Sequence, residues 1–380
     1  MAVTIIKYPN EYSFVGNSIV FEFLADSSAI VKMEITAANK TYSVTYYPYK
    51  KSETEFIIHS DISDYLKFEI SDTEIQTGGI IVPVSGFSLP YQVDILDEED
   101  NLIHQFFGTA FRGGISNSAF RKLEENLYDI WTYRLASYFD QFLFTTRTSG
   151  KEIKLKKTEL FPFVFIHPGI PIIFKSESGT EITTPAQTAG TVCAMDIQIV
   201  LEQMPSGPKR VDVCPDGEYA FHFSILSEKL SEEKYLLRFR NSLGAFEVLE
   251  VTGRAMHVPE FSEESIYETL SDFDFYEERR SRVKSKGVIE VETGYKERRE
   301  FPFVMDMIQS DEIYFIYPDG NSFRCHVKAD SAQYRHLMTE PTSIKLKIRE
   351  VTEEEFSLSK IDFDEEFDRI FNETFSDTFN

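Results

Sequence analysis

The chain has 380 residues, which at about 100–200 residues per domain gives room for two or three domains with separate cores. Hydrophobic residues at 42% and charged residues at 27% place it among globular chains, and 18 glycines without a G-X-Y period exclude a collagen-like fibre. Acids outnumber bases 63 to 39, a net charge of −24 that repels phosphate backbones and anionic head groups and excludes nucleic acid and membrane as expected partners.

No basic stretch followed by an apolar core opens the sequence, and no later run approaches about 18 apolar residues, so synthesis in a cytoplasm without a classical export signal is expected. Up to about residue 110 apolar residues alternate: Ile19, Phe21 and Phe23; Val31, Met33 and Ile35; Tyr42, Val44 and Tyr46; Phe56 and Ile58. Period two means half-buried strands, and the intervening turn signals at Gly16-Asn17, Ala38-Asn39-Lys40 and Tyr47-Pro48-Tyr49 suit short antiparallel strands. The expectation is a β-sandwich over 1–115, closed by a hairpin from Tyr91, Val93 and Ile95 through Asp97–Asn101 to His104, Phe106 and Gly108.

After Gly114 the period changes. Phe120, Leu123, Leu127, Ile130, Trp131, Leu135, Tyr138 and Phe142 recur at threes and fours, which predicts a long amphipathic helix between about 118 and 143 inside a linking segment, 116–150. Strands return from Lys151, with hairpin signals at Ser178-Gly179 after Ile172-Ile173-Phe174, and at Asn241–Gly244 between Tyr235–Phe239 and the strand of Phe246, Val248 and Leu249. The break at Pro259–Glu264 predicts a boundary between a second β-domain, 151–258, and a third, 259–355. In the third, Ile313, Phe315 and Tyr317 turn at Pro318–Asn321 into Phe323, Cys325 and Val327, and Ile344, Leu346 and Ile348 read as an edge strand with a basic solvated face. The tetrapeptide Phe161-Pro162-Phe163-Val164 recurs as Phe301-Pro302-Phe303-Val304, a weak signal of internal duplication.

Residues 356–380 differ in kind. Phe363, Phe367, Phe371, Phe375 and Phe379 fall every fourth residue among seven acids, with Ile370 beside them, which in helical geometry makes an aromatic stripe with an acidic back. Either it packs on its own domain or these residues dock into a groove of a partner subunit. Covering five phenylalanines is worth roughly 1.5–3 kcal/mol each, and the interleaved acids favour a basic, salt-sensitive groove.

Chemistry-bearing signatures are scarce. Cys193, Cys214 and Cys325 have neither disulfide nor zinc spacing and read as buried thiols, and the seven histidines are scattered singly. Phosphate-loop, dinucleotide, H-E-x-x-H and G-x-S-x-G patterns do not occur. With 63 acids, any choice of a glycosidase carboxylate pair is arbitrary. The acids of Asp362–Glu366 lack the glycine and register of a calcium loop, so no catalytic residue, metal or cofactor is expected.

Five segments in fixed order carry a resemblance: Gly16-Asn17-Ser18-Ile19; Gly108-Thr109-Ala110-Phe111-Arg112-Gly113-Gly114-Ile115-Ser116; Phe142-Leu143-Phe144-Thr145; Leu237 through Glu247; and Met307-Ile308-Gln309-Ser310-Asp311-Glu312-Ile313-Tyr314. Together they resemble structural tail proteins, of tail-tip or connector type, from tailed phages and prophages of gut Bacteroidetes. Where such proteins often have tryptophan, this chain has Phe239 and Phe246. The resemblance implies a non-enzymatic virion component with tandem β-sandwich-like domains, located in the tail, partnered by copies of itself in a ring and by other virion proteins. The alternative from another class is a glycan-binding receptor protein, with Tyr46, Tyr47 and Tyr49 stacking on sugars of the host surface.

Overall fold

The computed structural model describes residues 3–26, 29–52, 55–75, 78–115, 143–147, 151–204, 207–227, 234–257, 260–269, 276–286, 288–329 and 343–351. The helix expected over about 118–143 and the segment 356–380, with Phe363, Phe367, Ile370, Phe371, Phe375 and Phe379, fall outside the described residues, save for Leu143.

The chain is mainly β, in stacked sheets, as the alternating pattern requires. In the N-terminal sandwich, one sheet runs Thr4–Lys7, Val20–Ala25, Phe56–Asp61, Tyr49–Lys50 and the other runs Tyr12–Phe14, Leu102–Phe111, Ser88–Leu96, Val31–Ala37, Lys40–Tyr46. Phe21, Phe23 and Ile58 of the first sheet meet Met33, Ile35, Val93 and Ile95 of the second in a core without solvent access. These are the period-two residues, so the pattern chose the buried face. The hairpin through Asp97–Asn101 forms as expected, with Tyr91 opposite Gly108.

A second sandwich has one sheet of Glu152–Lys156, Phe221–Leu226, Arg210–Pro215, Ile172–Ser176 and Glu181–Thr184. Its other sheet corrects the expected domain limits. Phe163–Ile166 and Val192–Met195 are joined there by Ile81–Ser85 and Glu74–Ile75, so the first 115 residues lend a hairpin to the second sandwich. The lent strand places Pro83 opposite Cys193, and its pairing with Glu74–Ile75 on the other side takes only Val84 and Ser85.

The third unit is a closed barrel in the order Tyr235–Arg240, Phe246–His257, Val288–Glu292, Lys345–Glu350, Ser322–Ala329, Ile313–Ile316. Its first two strands precede residue 258, so the boundary expected at 258/259 cuts the barrel and is wrong. What breaks the pattern there is a two-stranded arm, Glu260–Thr269 with Tyr276–Lys286, continuing out of two barrel strands. Closure also removes the edge. The strand carrying Leu346 and Ile348 pairs on both sides, with Val288–Glu292 and Ser322–Ala329.

The repeated tetrapeptide does not mark a duplication. Each copy follows a single 3-10 turn, Lys157–Glu159 or Arg298–Glu300, but Phe163–Ile166 is then a fully buried strand whereas Phe301–Gln309 is a helix. Phe165-Ile166 extends the first copy into a β-branched and aromatic run covered on both faces, while Met-Asp-Met-Ile after the second continues a helical spacing. Phe301, Val304 and Met307 of that helix enter the barrel core, and Pro302 sits in its first turn, where no intrahelical N–H is lost.

Candidate functional site

Gly16-Asn17, Gly113–Ile115, Leu143–Thr145 and Asn241–Glu247 meet at the joint between the sandwiches and the barrel, and Gln309–Glu312 line a cleft beside it. Phe14, Phe87 and Phe111 of the N-terminal sandwich, Val164, Ile166 and Val192 of the second, and Leu243 and Ala245 of the barrel form one buried cluster around Phe144. Phe144 lies edge-on to Phe87 with ring centres 4.5 Å apart, and 5.5 Å from Phe111.

Backbone approaches hold the joint on one side. Gly16 donates its N–H to the Gly113 carbonyl at 2.7 Å, and Gly114 donates to the Ser242 carbonyl at 2.7 Å. Asn17, 4% exposed, reads both backbone groups of Ile115, accepting from its N–H and donating to its carbonyl. Gly113 and Gly244 have φ of +101° and +90°, and a Cβ on either would stand 2.3 Å from backbone of the opposing domain. Glycine is needed here on both counts.

A buried polar network holds the other side. Glu247 Oε1 accepts from Thr145 Oγ1, the Thr146 N–H and Asn241 Nδ2, while its Oε2, 3.7 Å from Arg147 Nε, accepts no hydrogen bond. Arg147 donates to Glu159 Oε2 at 2.9 Å and to the Val248 carbonyl, and its guanidinium lies 4.1 Å from the centre of the Phe303 ring. Glu159 also accepts from the backbone N–H groups of Lys156 and Glu250.

The two carboxylates shift in opposite directions. Burial pushes Glu247 up, and the pull of Arg147 with its hydrogen bonds does not offset this. Burial also pushes Glu159 up, but Arg147, Lys296 and the two backbone donors outweigh it and hold the group below its ordinary value. The difference follows from donors: both oxygens of Glu159 are satisfied and only one of Glu247 is. Lys296, 5% exposed, is lowered chiefly by burial.

Beside the joint lies a cleft of 510 Å³ between N-terminal sandwich and barrel, lined by Arg112, Arg240, Arg324, Asp306 and Glu312 among others. Arg112, Arg240, Arg324, Asp306 and Glu312 each bind another part of the chain. Arg240 Nε donates to Glu312 Oε2 at 2.5 Å, Arg324 to the Asp311 carbonyl, Arg112 to the carbonyls of Ile70 and Ser71, and Asp306 accepts from the Ser242 N–H and Thr146 Oγ1. The Phe246 ring meets two cations, with Arg238 and Arg240 each 4.3 Å from its centre.

Among the described residues no group of three or more His, Cys, Asp or Glu is placed to hold a metal ion, and no helix is long and apolar enough to cross a membrane. His222 and His326 are strand residues, as expected. The three cysteines are free, buried and in strands, and burial pushes Cys193 up to about 11, Cys325 up to about 12 and Cys214 in the same direction. A thiol reagent at pH of about 8 is therefore expected to modify none of them in the folded chain and all three after unfolding. Fast labelling of the folded chain would contradict this burial.

Of the stacking tyrosines, Tyr47 and Tyr49 are 68% and 51% exposed, but Tyr46 packs against the N-terminal core. Sequence reading put weight on the glycine turns and missed Arg147, Glu159 and Lys296. A lone charged residue in a chain 27% charged carries no signal of burial.

No family model matches the chain, and no curated protein matches it. Among solved structures it is similar to an I-band fragment of titin, with 11% identity, 93% of this chain and 90% of that one covered, and a TM-score of 0.15. A likeness at that level carries no argument.

Proposed function

We propose that the chain is a non-enzymatic structural subunit of a phage tail or of a tail-tip or connector assembly, located in the virion and present in several copies. The observation that carries the reading is that four of the five resemblance segments meet at the joint and the fifth lines the cleft beside it, where glycines, Arg147, Glu159 and Asn241 are spent on fixing three β-units to one another. A rigid multidomain frame is what a subunit that transmits load between neighbours requires. The acidic segment with Phe363, Phe367, Ile370, Phe371, Phe375 and Phe379 supplies a docking peptide for a neighbouring subunit in this reading.

The test is to localise the chain in intact virions by density. Ordered copies in the tail support the proposal, and virions that lack the chain overturn it. For the docking peptide, a chain truncated after Glu355 is expected to fold and to lose incorporation. Incorporation at wild-type stoichiometry would remove the peptide from the proposal. A second reading, host-glycan binding, draws on the exposed pair Tyr47 and Tyr49 and is favoured if the purified chain is retained on immobilised surface polysaccharide.

A further inference from the structure

The arm is the one two-stranded sheet among those formed by the described residues. Its strands pair over ten positions from Glu260↔Lys286 to Thr269↔Tyr276, a ribbon about 33 Å long at about 3.3 Å per residue. Neither strand pairs with any third strand among the described residues. A lone two-stranded ribbon is marginal in water and presents two rows of unpaired backbone groups, so its edges are templates for another strand.

Charge divides the edges. Strand Glu260–Thr269 contains four acids, Glu260, Glu263, Glu264 and Glu268, and no base. Residues 279–286 of the other strand contain five bases, Arg279, Arg280, Arg282, Lys284 and Lys286, and no acid. One edge strand is thus acidic and the other basic along most of its length. A two-fold contact would set like strand against like strand, acid on acid or base on base, which is destabilising. A head-to-tail contact sets basic against acidic, and since the two strands of one arm are antiparallel, stacking identical arms in one orientation also makes the new pair antiparallel. Such a contact generates a ring or an open helical array.

We infer that the arm joins neighbouring copies of this chain edge to edge, the strand Tyr276–Lys286 of one copy pairing with Glu260–Thr269 of the next. This deepens the assembly reading above and rests on it, by naming a second copy of the chain as partner and the arm as the contact.

The experiment compares the oligomeric state of three full-length chains by sedimentation velocity. The wild type is expected to self-associate, more weakly as salt rises. A reversal variant carrying Arg279→Glu, Arg280→Glu, Arg282→Glu and Lys284→Glu is expected to be monomeric with an unchanged barrel unfolding transition. The third chain adds Glu260→Lys, Glu263→Lys, Glu264→Lys and Glu268→Lys, which restores opposite charge within each arm and between like arms. It is expected to self-associate again but not to enter wild-type arrays, because every mixed head-to-tail contact pairs like charges, and the two-fold contact that would pair opposite charges closes a mixed dimer and ends the array. If the reversal variant associates as the wild type does, or if swapped and wild-type chains enter the same arrays, the arm inference falls while assembly through another surface stands. A wild type that stays monomeric at every concentration overturns both.

Discussion

Gly113→Ala is expected to cost more than about 3 kcal/mol and to separate the unfolding of the N-terminal sandwich from that of the barrel. The backbone at Gly113 has φ of +101°, a region that costs an L-residue roughly 1–2 kcal/mol by itself. The added Cβ would also stand 2.3 Å from the carbonyl carbon of Leu243 and 2.6 Å from the N of Gly244, both backbone atoms of a buried turn that no rotamer change can clear. The joint must open to make room, and Leu243, wholly buried in the shared aromatic cluster, would lose part of its cover. Gly179→Ala is the control: its φ is +85°, but nothing lies within 4 Å of the new methyl, so only the conformational cost of about 1–2 kcal/mol is expected. Denaturant titrations of the two variants check this. Equal losses would mean that the domains yield at the joint without resistance. Gly244→Ala approaches the same contact from the barrel side, 2.3 Å from the Arg112 carbonyl oxygen, and the double variant is expected to cost less than the two losses added.

The same joint marks how far the sequence could be read. Local order was legible: the hairpins at Asp97–Asn101, Asn241–Gly244 and Pro318–Asn321 each join strands that alternate with period two, and each is a hairpin in the structure. Strand partners distant in sequence were not legible. Nothing in Ile81-Val82-Pro83-Val84-Ser85 says that it will pair with Val192–Met195, because pairing across that distance depends on which edge is open once both sandwiches have formed. The helices Ser63–Glu69 and Ile197–Gln203 are seven residues each, too short to establish a 3.6-residue period. Asp196, whose side chain accepts from the N–H groups of Gln198 and Ile199, was the one cue to the second. The barrel escaped because a break in alternation reads the same whether it is a linker between domains or an arm leaving one. At the site, Gly16 and Gly244 stood out through their turn chemistry, whereas the ion pairs of Arg147 depend on contacts with both the second sandwich and the barrel and leave no local mark.

Arg147→Met is expected to cost about 3–5 kcal/mol near neutral pH, with a loss that shrinks in acid. The side chains of Arg147, Glu159 and Glu247 are 7%, 2% and 1% exposed, so removing the guanidinium strands two carboxylates away from water. Methionine keeps a similar stem against Phe303 and withdraws only the charge and its donors. In the wild type the two acids contribute with opposite sign. Glu159, held below its ordinary value by Arg147, Lys296 and backbone donors that overcome its burial, supplies stability above that value and loses it as pH falls through the folded pKa. Glu247, raised by burial, does the reverse: the folded state binds more protons than the unfolded one, so stability declines as pH rises from the ordinary carboxylate value through the folded pKa. Without Arg147 both groups lose their main attraction: Glu247 rises further, and Glu159, left with Lys296 and its two backbone donors, rises from its lowered value. The deficit of the variant must therefore grow with pH from the lowered wild-type value of Glu159 up to the raised value of Glu247 in the variant, and level off above it. Urea midpoints for wild type and variant at pH of about 5 and about 8 measure the difference. A deficit that is the same at both, or smaller than about 1 kcal/mol at the higher pH, would mean that water reaches these carboxylates and that the polar side of the joint is not closed.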